Sequence, residues 1–295
     1  MADDDVNQKQ SGLLLIGMGP GAVGSMTTEA ISAAKSADFR RYEAYTALWP
    51  DSELNDLEQL IGPIERVMRP EIENPEEIIR LARNNLVAVL IVGDPLQATT
   101  HVDLQLQASE QGIGCKVIHG ISITNLVTGA VGLSNYKFGR QTTLTYPYSG
   151  WIATSPLEVI AMNRSMGLHT LALLDLDPTG SGTGEQHPMR PKDAVESLNA
   201  MAVKLIEGVE DMPNNSPFER LKIESILEIC SNISSLRVVL CSDMGTKDQL
   251  IVTTTVDALA NEQGGRLNCL VFPASTSDVE EKALLRWLKE ERKYG

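Results

Sequence analysis

The chain has 295 residues, 42% of them hydrophobic and 22% charged, which is enough apolar material for a large core and, at this length, for two domains. Its formal net charge is −14, from 39 acidic against 25 basic residues with no polybasic stripe, so a phosphate backbone would be repelled and no nucleic-acid partner is expected. No apolar run approaches the ~20 residues of a membrane span, and Met1 to Gln10 is acidic and polar, so the reading is a cytoplasmic protein with no membrane partner.

Leu13 to Ile16 is an apolar run that ends at Gly17-Met18-Gly19-Pro20-Gly21, and Thr27 to Ala37 follows with helical spacing and a threonine N-cap. This predicts strand, glycine loop, helix. The unit recurs. Pro75 to Asn84 reads as a helix opened by proline, Val87 to Val92 as a β-branched strand, and Gly93-Asp94-Pro95 as its break before a helix over Asp103 to Gln111. A strand over Cys115 to His119 and a helix over Ser122 to Val131 complete the first half. Alternation of this length predicts an α/β fold with a mainly parallel sheet covered on both faces.

The pattern lapses between Gly132 and Arg140, which places the boundary between an N-terminal domain, 1–135, and a C-terminal domain, 136–295. The second half predicts strands at Gln141 to Tyr146, Leu168 to Leu174, Leu236 to Cys241 and Leu267 to Phe272. Helices are expected over Pro156 to Ser165, Lys192 to Glu207, Pro217 to Cys230 and Asp278 to Lys293. Pro178 to Pro191, rich in Gly, Pro and Thr, is expected to be a mobile loop.

Gly17 to Ala22 fits the G-x-G-x-x-G/A pattern of a dinucleotide site, with Glu43 about where a ribose-binding acid would be sought. The proline and the run to Ser25 delay the helix, however, and a pyrophosphate needs the helix N-terminus close behind the second glycine. A structural turn and a loop shaping another ligand's pocket are the competing readings. Asp94 ends a strand at the edge where open α/β sheets bind ligands. It suits a ligand amine or hydroxyl, and equally a capped turn with Thr99 or Thr100 capping the next helix. Ser122 and Ile123 are open between cap and ligand contact in the same way.

His101, His119, His169 and His187 lack i, i+4 pairing and HExxH, so no metal site is expected and each reads as structural. Cys115, Cys230, Cys241 and Cys269 have no CxxC spacing, and most lie in apolar runs, as small hydrophobes do. No Gly-x-Ser-x-Gly elbow supports a hydrolase.

Several strings together carry a resemblance that spans Leu13 to about Phe272. They are Gly17-Met18-Gly19, Glu43-Ala44-Tyr45-Thr46, Gly93 through His101, Tyr136-Lys137-Phe138-Gly139, Tyr146-Pro147 with Trp151 and Thr154-Ser155, and Gly167-Leu168-His169-Thr170 leading to Leu174-Asp175. In these the chain resembles the diphthine synthase branch of the tetrapyrrole-methylase-fold family. The Gly-Asp-Pro-x-x-Ala-Thr-Thr-His and Tyr-Lys-Phe-Gly strings separate this branch from the tetrapyrrole methylases themselves.

The resemblance implies a two-domain α/β fold, parallel in the N-terminal sheet and mixed in the C-terminal one, with S-adenosyl-L-methionine bound in the cleft between the domains. Carried over residue by residue, its contacts fall on Pro20, Asp94, Gln97, Ser122, Ile123, Leu174, Met244 and Asn268. The family usually has apolar residues where Pro20 and Gln97 stand, often histidine at 268, and Ala-Arg-Ala where Cys241-Ser242-Asp243 precedes Met244. The implied reaction is methylation of the α-amino group of an amino-carboxypropyl histidine on translation elongation factor 2, by a homodimer. No catalytic base is named. A small-molecule acceptor such as a tetrapyrrole is the alternative within the fold, and a nicotinamide-dependent oxidoreductase the alternative outside it.

Overall fold

The computed structural model describes residues 10–148, 150–183 and 186–288 and divides the chain into two compact units. The first comprises the described residues up to Ile123 together with Ser181 to Thr183; the second comprises Thr124–Gly180 and the described residues from Gln186 onward. No helix among the described residues is long and apolar enough to cross a membrane.

The strands of the first unit are β1 (Gly12–Gly17), β2 (Phe39–Glu43), β3 (Glu65–Val67), β4 (Leu86–Ile91) and β5 (Cys115–Ile118). Its helices are α1 (Thr28–Ser36), α2 (Asp51–Ile61), α3 (Arg69–Glu73), α4 (Glu76–Ala82) and α5 (His101–Glu110). The strands form one parallel sheet in the order β3-β2-β4-β1-β5. Both β1 and β4 are buried along their whole length because successive side chains supply opposite faces. Leu14 and Ile16, with Ala88 and Leu90, pack with Ala30, Ala34 and Leu57 of α1 and α2; Leu13 and Leu15, with Val87 and Val89, pack with Ile78, Ile79 and Leu104 of α4 and α5.

The second unit holds β6 (Thr142–Leu144), β7 (Thr170–Leu174), β8 (Arg237–Ser242), β9 (Leu250–Thr255) and β10 (Asn268–Phe272). Its helices are α6 (Ile123–Ala130), which begins at the boundary, α7 (Ser155–Ser165), α8 (Pro191–Glu207), α9 (Pro217–Ser231), α10 (Val256–Leu259) and α11 (Asp278–Leu285). The sheet order is β6-β7-β10-β8-β9, with β6 and β7 parallel and the other pairs antiparallel, so the sheet is mixed as expected. Leu157, Leu198, Met201, Ile226 and Ile229 of α7, α8 and α9 cover Val238, Leu240, Leu270 and Phe272.

The division falls earlier in the chain than the expected 1–135 and 136–295 boundary. The reason lies in α11 and the turn after it: the Ser134 N–H donates to Glu280 Oε1 at 3.0 Å, and Trp287 Nε1 donates to the Val131 carbonyl at 3.2 Å, so 131–134 belongs with the second unit. The 178–191 loop is also more anchored at its end than its composition implies. Met189 is buried and its N–H donates to the Asp175 carbonyl at 2.9 Å, while the Arg69 N–H donates to the Gly182 carbonyl at 3.2 Å. Gly184 and Glu185 of that loop, and the expected helix from Lys289 to Lys293, lie outside the described residues.

Strand β2 has no legible apolar pattern because its arginines serve the tertiary structure. Arg40 donates to the carbonyls of Ala34, Lys35 and Ala37 and so closes the C-terminus of α1, and Arg41 pairs with Glu65, its register partner on β3.

Candidate functional site

The parallel sheet brings the ends of β1, β4 and β5 to one edge, where Gly17 stands in register with Ile91 and Ile16 with Ile118. The loops that follow approach closely because two positions lack a Cβ. A Cβ on Gly17 would lie 2.5 Å from the Gly120 nitrogen and 2.7 Å from the Gly93 carbonyl oxygen, and one on Gly120 would meet the same carbonyl and the Gly17 backbone. Gly19 and Gly93, both with positive φ, then exchange two backbone hydrogen bonds of 3.1 and 2.9 Å. The glycines therefore serve backbone-to-backbone packing.

Asp94 follows directly from this closure. Its buried carboxylate accepts the Leu96 N–H at 2.9 Å through Oδ1, and His119 Nδ1 at 2.8 Å and the Gly120 N–H at 3.3 Å through Oδ2. It fastens the β4 loop to the β5 loop across the end of β1. Ser122 is buried and Ile123 half-buried just beyond the same β5 loop, Pro20 is half-buried after β1, and Gln97 is exposed on the β4 loop. Beside Gln97, Ala98 has φ +56, a conformation that costs an alanine energy and that clusters at ligand-binding segments. Of the expected caps, the Thr100 side chain makes no capping bond, while Thr99 Oγ1 accepts the His101 N–H at 3.5 Å and donates to the Pro95 carbonyl at 2.6 Å.

The dinucleotide reading does not fit these loops. The α-helix starts only at Thr28, capped by Thr27, whose Oγ1 accepts the Ala30 N–H at 3.0 Å. The Val23 N–H that would have faced a phosphate donates instead to Glu53 Oε2 at 2.7 Å. Glu43, the proposed ribose acid, is fully buried and holds its own turn, accepting the N–H groups of Tyr45 and Thr46 and the Thr46 hydroxyl. Burial pushes its carboxyl above the usual range, against these hydrogen bonds.

In the second unit, Leu174 closes β7, Met244 follows β8 and Asn268 opens β10. Because β10 runs antiparallel to both neighbours, the three meet at one sheet edge, with Asn268 opposite Ser242 and Cys269 opposite Leu173. Leu174 and Met244 are buried. The Asn268 amide is occupied within the protein: Oδ1 accepts Ser242 Oγ at 2.7 Å and the Gly265 N–H at 2.8 Å, and Nδ2 donates to the Met189 and Gly265 carbonyls. Asp243, at φ +45, receives the Arg266 and Leu267 N–H groups at 3.0 Å each. The Cys-Ser-Asp sequence before Met244 thus builds a hydrogen-bonded turn with Asn268.

Other distinctive strings prove architectural. Lys137 Nζ donates to Glu280 Oε2 at 2.8 Å, Phe138 packs edge-on against His169, and a Cβ on Gly139 would collide with the buried Asn163 amide. His101 is fully buried with neither ring nitrogen finding a hydrogen-bond partner among the described residues, and burial lowers its pKa to about 4, so it is neutral at pH 7. Burial and the Glu43 charge push the Tyr45 phenol up to about 12. The contact of His119 with Asp94 is what sequence reasoning passed over. Its signal was positional: His119 leaves β5 at the edge where Asp94 leaves β4.

Residues 12–260 match the model of the Tetrapyrrole (Corrin/Porphyrin) Methylases. The diphthine synthase of Methanocella arvoryzae is 38% identical over 92% of this chain and 96% of its own length, and that of Methanosphaerula palustris is 34% identical over 92% and 96%. A crystal structure of a diphthine synthase superposes with a TM-score of 0.75 at 26% identity, covering 95% of this chain and 98% of the other. Fold, strand-end loops and sequence agree, and the chain belongs to the diphthine synthase family of tetrapyrrole-methylase-fold methyltransferases.

Proposed function

We propose that this chain transfers methyl groups from S-adenosyl-L-methionine to the α-amino group of an amino-carboxypropyl histidine on translation elongation factor 2, a step of diphthamide biosynthesis that yields diphthine. Asp94 carries the reading. Three acceptor positions of its carboxylate are taken by protein groups, leaving one of roughly four for a ligand amine or hydroxyl. Pro20, Gln97, Ser122 and Ile123, on the loops at the same sheet edge of the first unit, are proposed as further donor contacts, and so, in the second unit, are Leu174, Met244 and Asn268. The chain is proposed to act in the cytoplasm as a homodimer.

S-adenosyl-L-methionine supplies an activated methyl on a sulfonium. As the nitrogen–carbon bond forms, the sulfur–carbon bond breaks in line and its electron pair stays on sulfur. The protein has to hold the amine lone pair behind the methyl carbon and exclude water. The incoming ammonium loses its proton first. His101 and His169 are fully buried and so are not available to it.

The test is transfer of labelled methyl groups to elongation factor 2 bearing the precursor side chain, with the unmodified factor as control. An unmodified imidazole lacks the aliphatic amine, so it should remain unlabelled. Equal labelling of both factors, or labelling of a tetrapyrrole instead, would refute the acceptor. Calorimetry against S-adenosylhomocysteine and NAD tests the donor separately, and light scattering tests the dimer.

A further inference from the structure

We propose that His119 is a positioning residue for the methyl donor: through Nδ1 it holds the Asp94 carboxylate so that its remaining acceptor position is presented to the ligand. The proposal rests on the reading that Asp94 touches the donor. It deepens that reading by assigning a role to a residue that the inferred contact set omits.

The geometry begins at the sheet edge. Ile118 pairs with Ile16, so His119 leaves β5 level with Gly17, and Asp94 leaves β4 from the other side of the same strand. A Cβ at 17 would collide with the backbone of Gly93 and Gly120, the chain neighbours of Asp94 and His119; with glycine there the two loops close, and Nδ1 and Oδ2 meet at 2.8 Å. A carboxylate has no proton to give, so Nδ1 carries the hydrogen and donates. In the neutral ring this fixes the Nδ1–H tautomer. The two side chains differ sharply in exposure, 70% for His119 against 8% for Asp94. A histidine left in solvent gains little for the core by this contact, whereas the buried carboxylate gains a charge-assisted donor.

The Leu96 and Gly120 N–H groups are fixed by the backbone and hold the carboxylate at its two oxygens. Of these contacts, the 3.3 Å bond from Gly120 is the long one. His119 therefore supplies the short bond to Oδ2 and sets the rotation of the carboxylate plane. Without it, that plane turns, and the preorganisation on which donor affinity depends is lost.

The experiment uses the full chain and three variants, His119→Ala, His119→Asn and His119→Gln. An asparagine amide nitrogen is bonded to Cγ, where Nδ1 stands, whereas a glutamine amide reaches the place of Nε2. The dissociation constant of S-adenosylhomocysteine is read by calorimetry, and KM for S-adenosyl-L-methionine and kcat are read with precursor-bearing elongation factor 2. The Ala and Gln variants should bind about tenfold more weakly, with KM raised in step and kcat at saturating donor within about twofold. Asn should restore both constants to near native values. The exposed ring leaves the core undisturbed, which unfolding midpoints would verify.

Ala binding like the native chain overturns the proposal, and so does Asn restoring affinity but not kcat, since the ring would then act in proton transfer. Failure of the native chain to bind S-adenosylhomocysteine at all would overturn the donor reading together with it, which distinguishes the two failures.

Discussion

His169 and Glu280, far apart in sequence, meet at 3.1 Å between Nε2 and Oε1 in the interior of the second unit. The Ala274 N–H donates to His169 Nδ1 at 3.0 Å, so the ring proton resides on Nε2 and is donated to the carboxylate. Burial alone would raise the Glu280 pKa, but hydrogen bonds from Lys137, the Ser277 and Ser134 N–H groups and His169 outweigh it and hold the carboxyl well below its usual range.

Glu280→Gln should destabilise the protein by roughly 3 kcal/mol at pH 7, because it leaves the Lys137 ammonium without its buried partner. The folded pKa is depressed, so this stabilisation is present above the unfolded carboxyl value of about 4.3 and is lost as pH falls toward the folded one. Urea unfolding of native and variant protein should show the gap narrowing below about pH 4.

His101 adds a second acid sensitivity. Its pKa is lowered to about 4 by burial, against an unfolded value of about 6.5. The unfolded chain binds the proton first, so stability falls on acidification through this window. His101→Leu removes two unpartnered ring nitrogens and should flatten the slope while changing stability at pH 7 by less than about 1 kcal/mol. A large loss at pH 7 would mean that the ring nitrogens have an essential partner.

Gly17→Ala and Gly120→Ala should each cost about 2 kcal/mol or more, since the new Cβ meets backbone that has no rotamer to change. Gly24→Ala, with no atom within 4 Å of the new methyl, is the control. Chemical denaturation midpoints would read the difference, and Gly17→Ala should also weaken S-adenosylhomocysteine binding because the Gly93 and Gly120 backbone, next to Asp94 and His119, is pushed apart.

Asp94→Ala should weaken S-adenosylhomocysteine binding by about 1 to 3 kcal/mol if the carboxylate makes a charge-assisted bond to the ligand. Calorimetry on folded variant would decide it; unchanged affinity sinks the contact.

The sequence by itself determined what local pattern can carry. The apolar runs at Leu13 to Ile16 and Val87 to Val92 announce doubly covered parallel strands, and Gly93-Asp94-Pro95 marks a strand end. Family strings extended this to a set of donor contacts. Only the tertiary structure decided what each polar residue does, because hydrogen-bond partners are chosen in space: Glu43 turned inward to hold its own loop, Glu53 took the Val23 amide of the glycine loop, and Arg40 and Arg41 made a strand of a charged segment. Tyr-Lys-Phe-Gly gives no hint of its partners, since Glu280 and Asn163 lie on helices elsewhere in the chain. His119 was unreadable for the same reason. One exposed histidine after a strand has no pattern of its own, and its meaning comes from Asp94, brought within 2.8 Å by strand order and by the close approach of the Gly93 and Gly120 backbone that Gly17 allows.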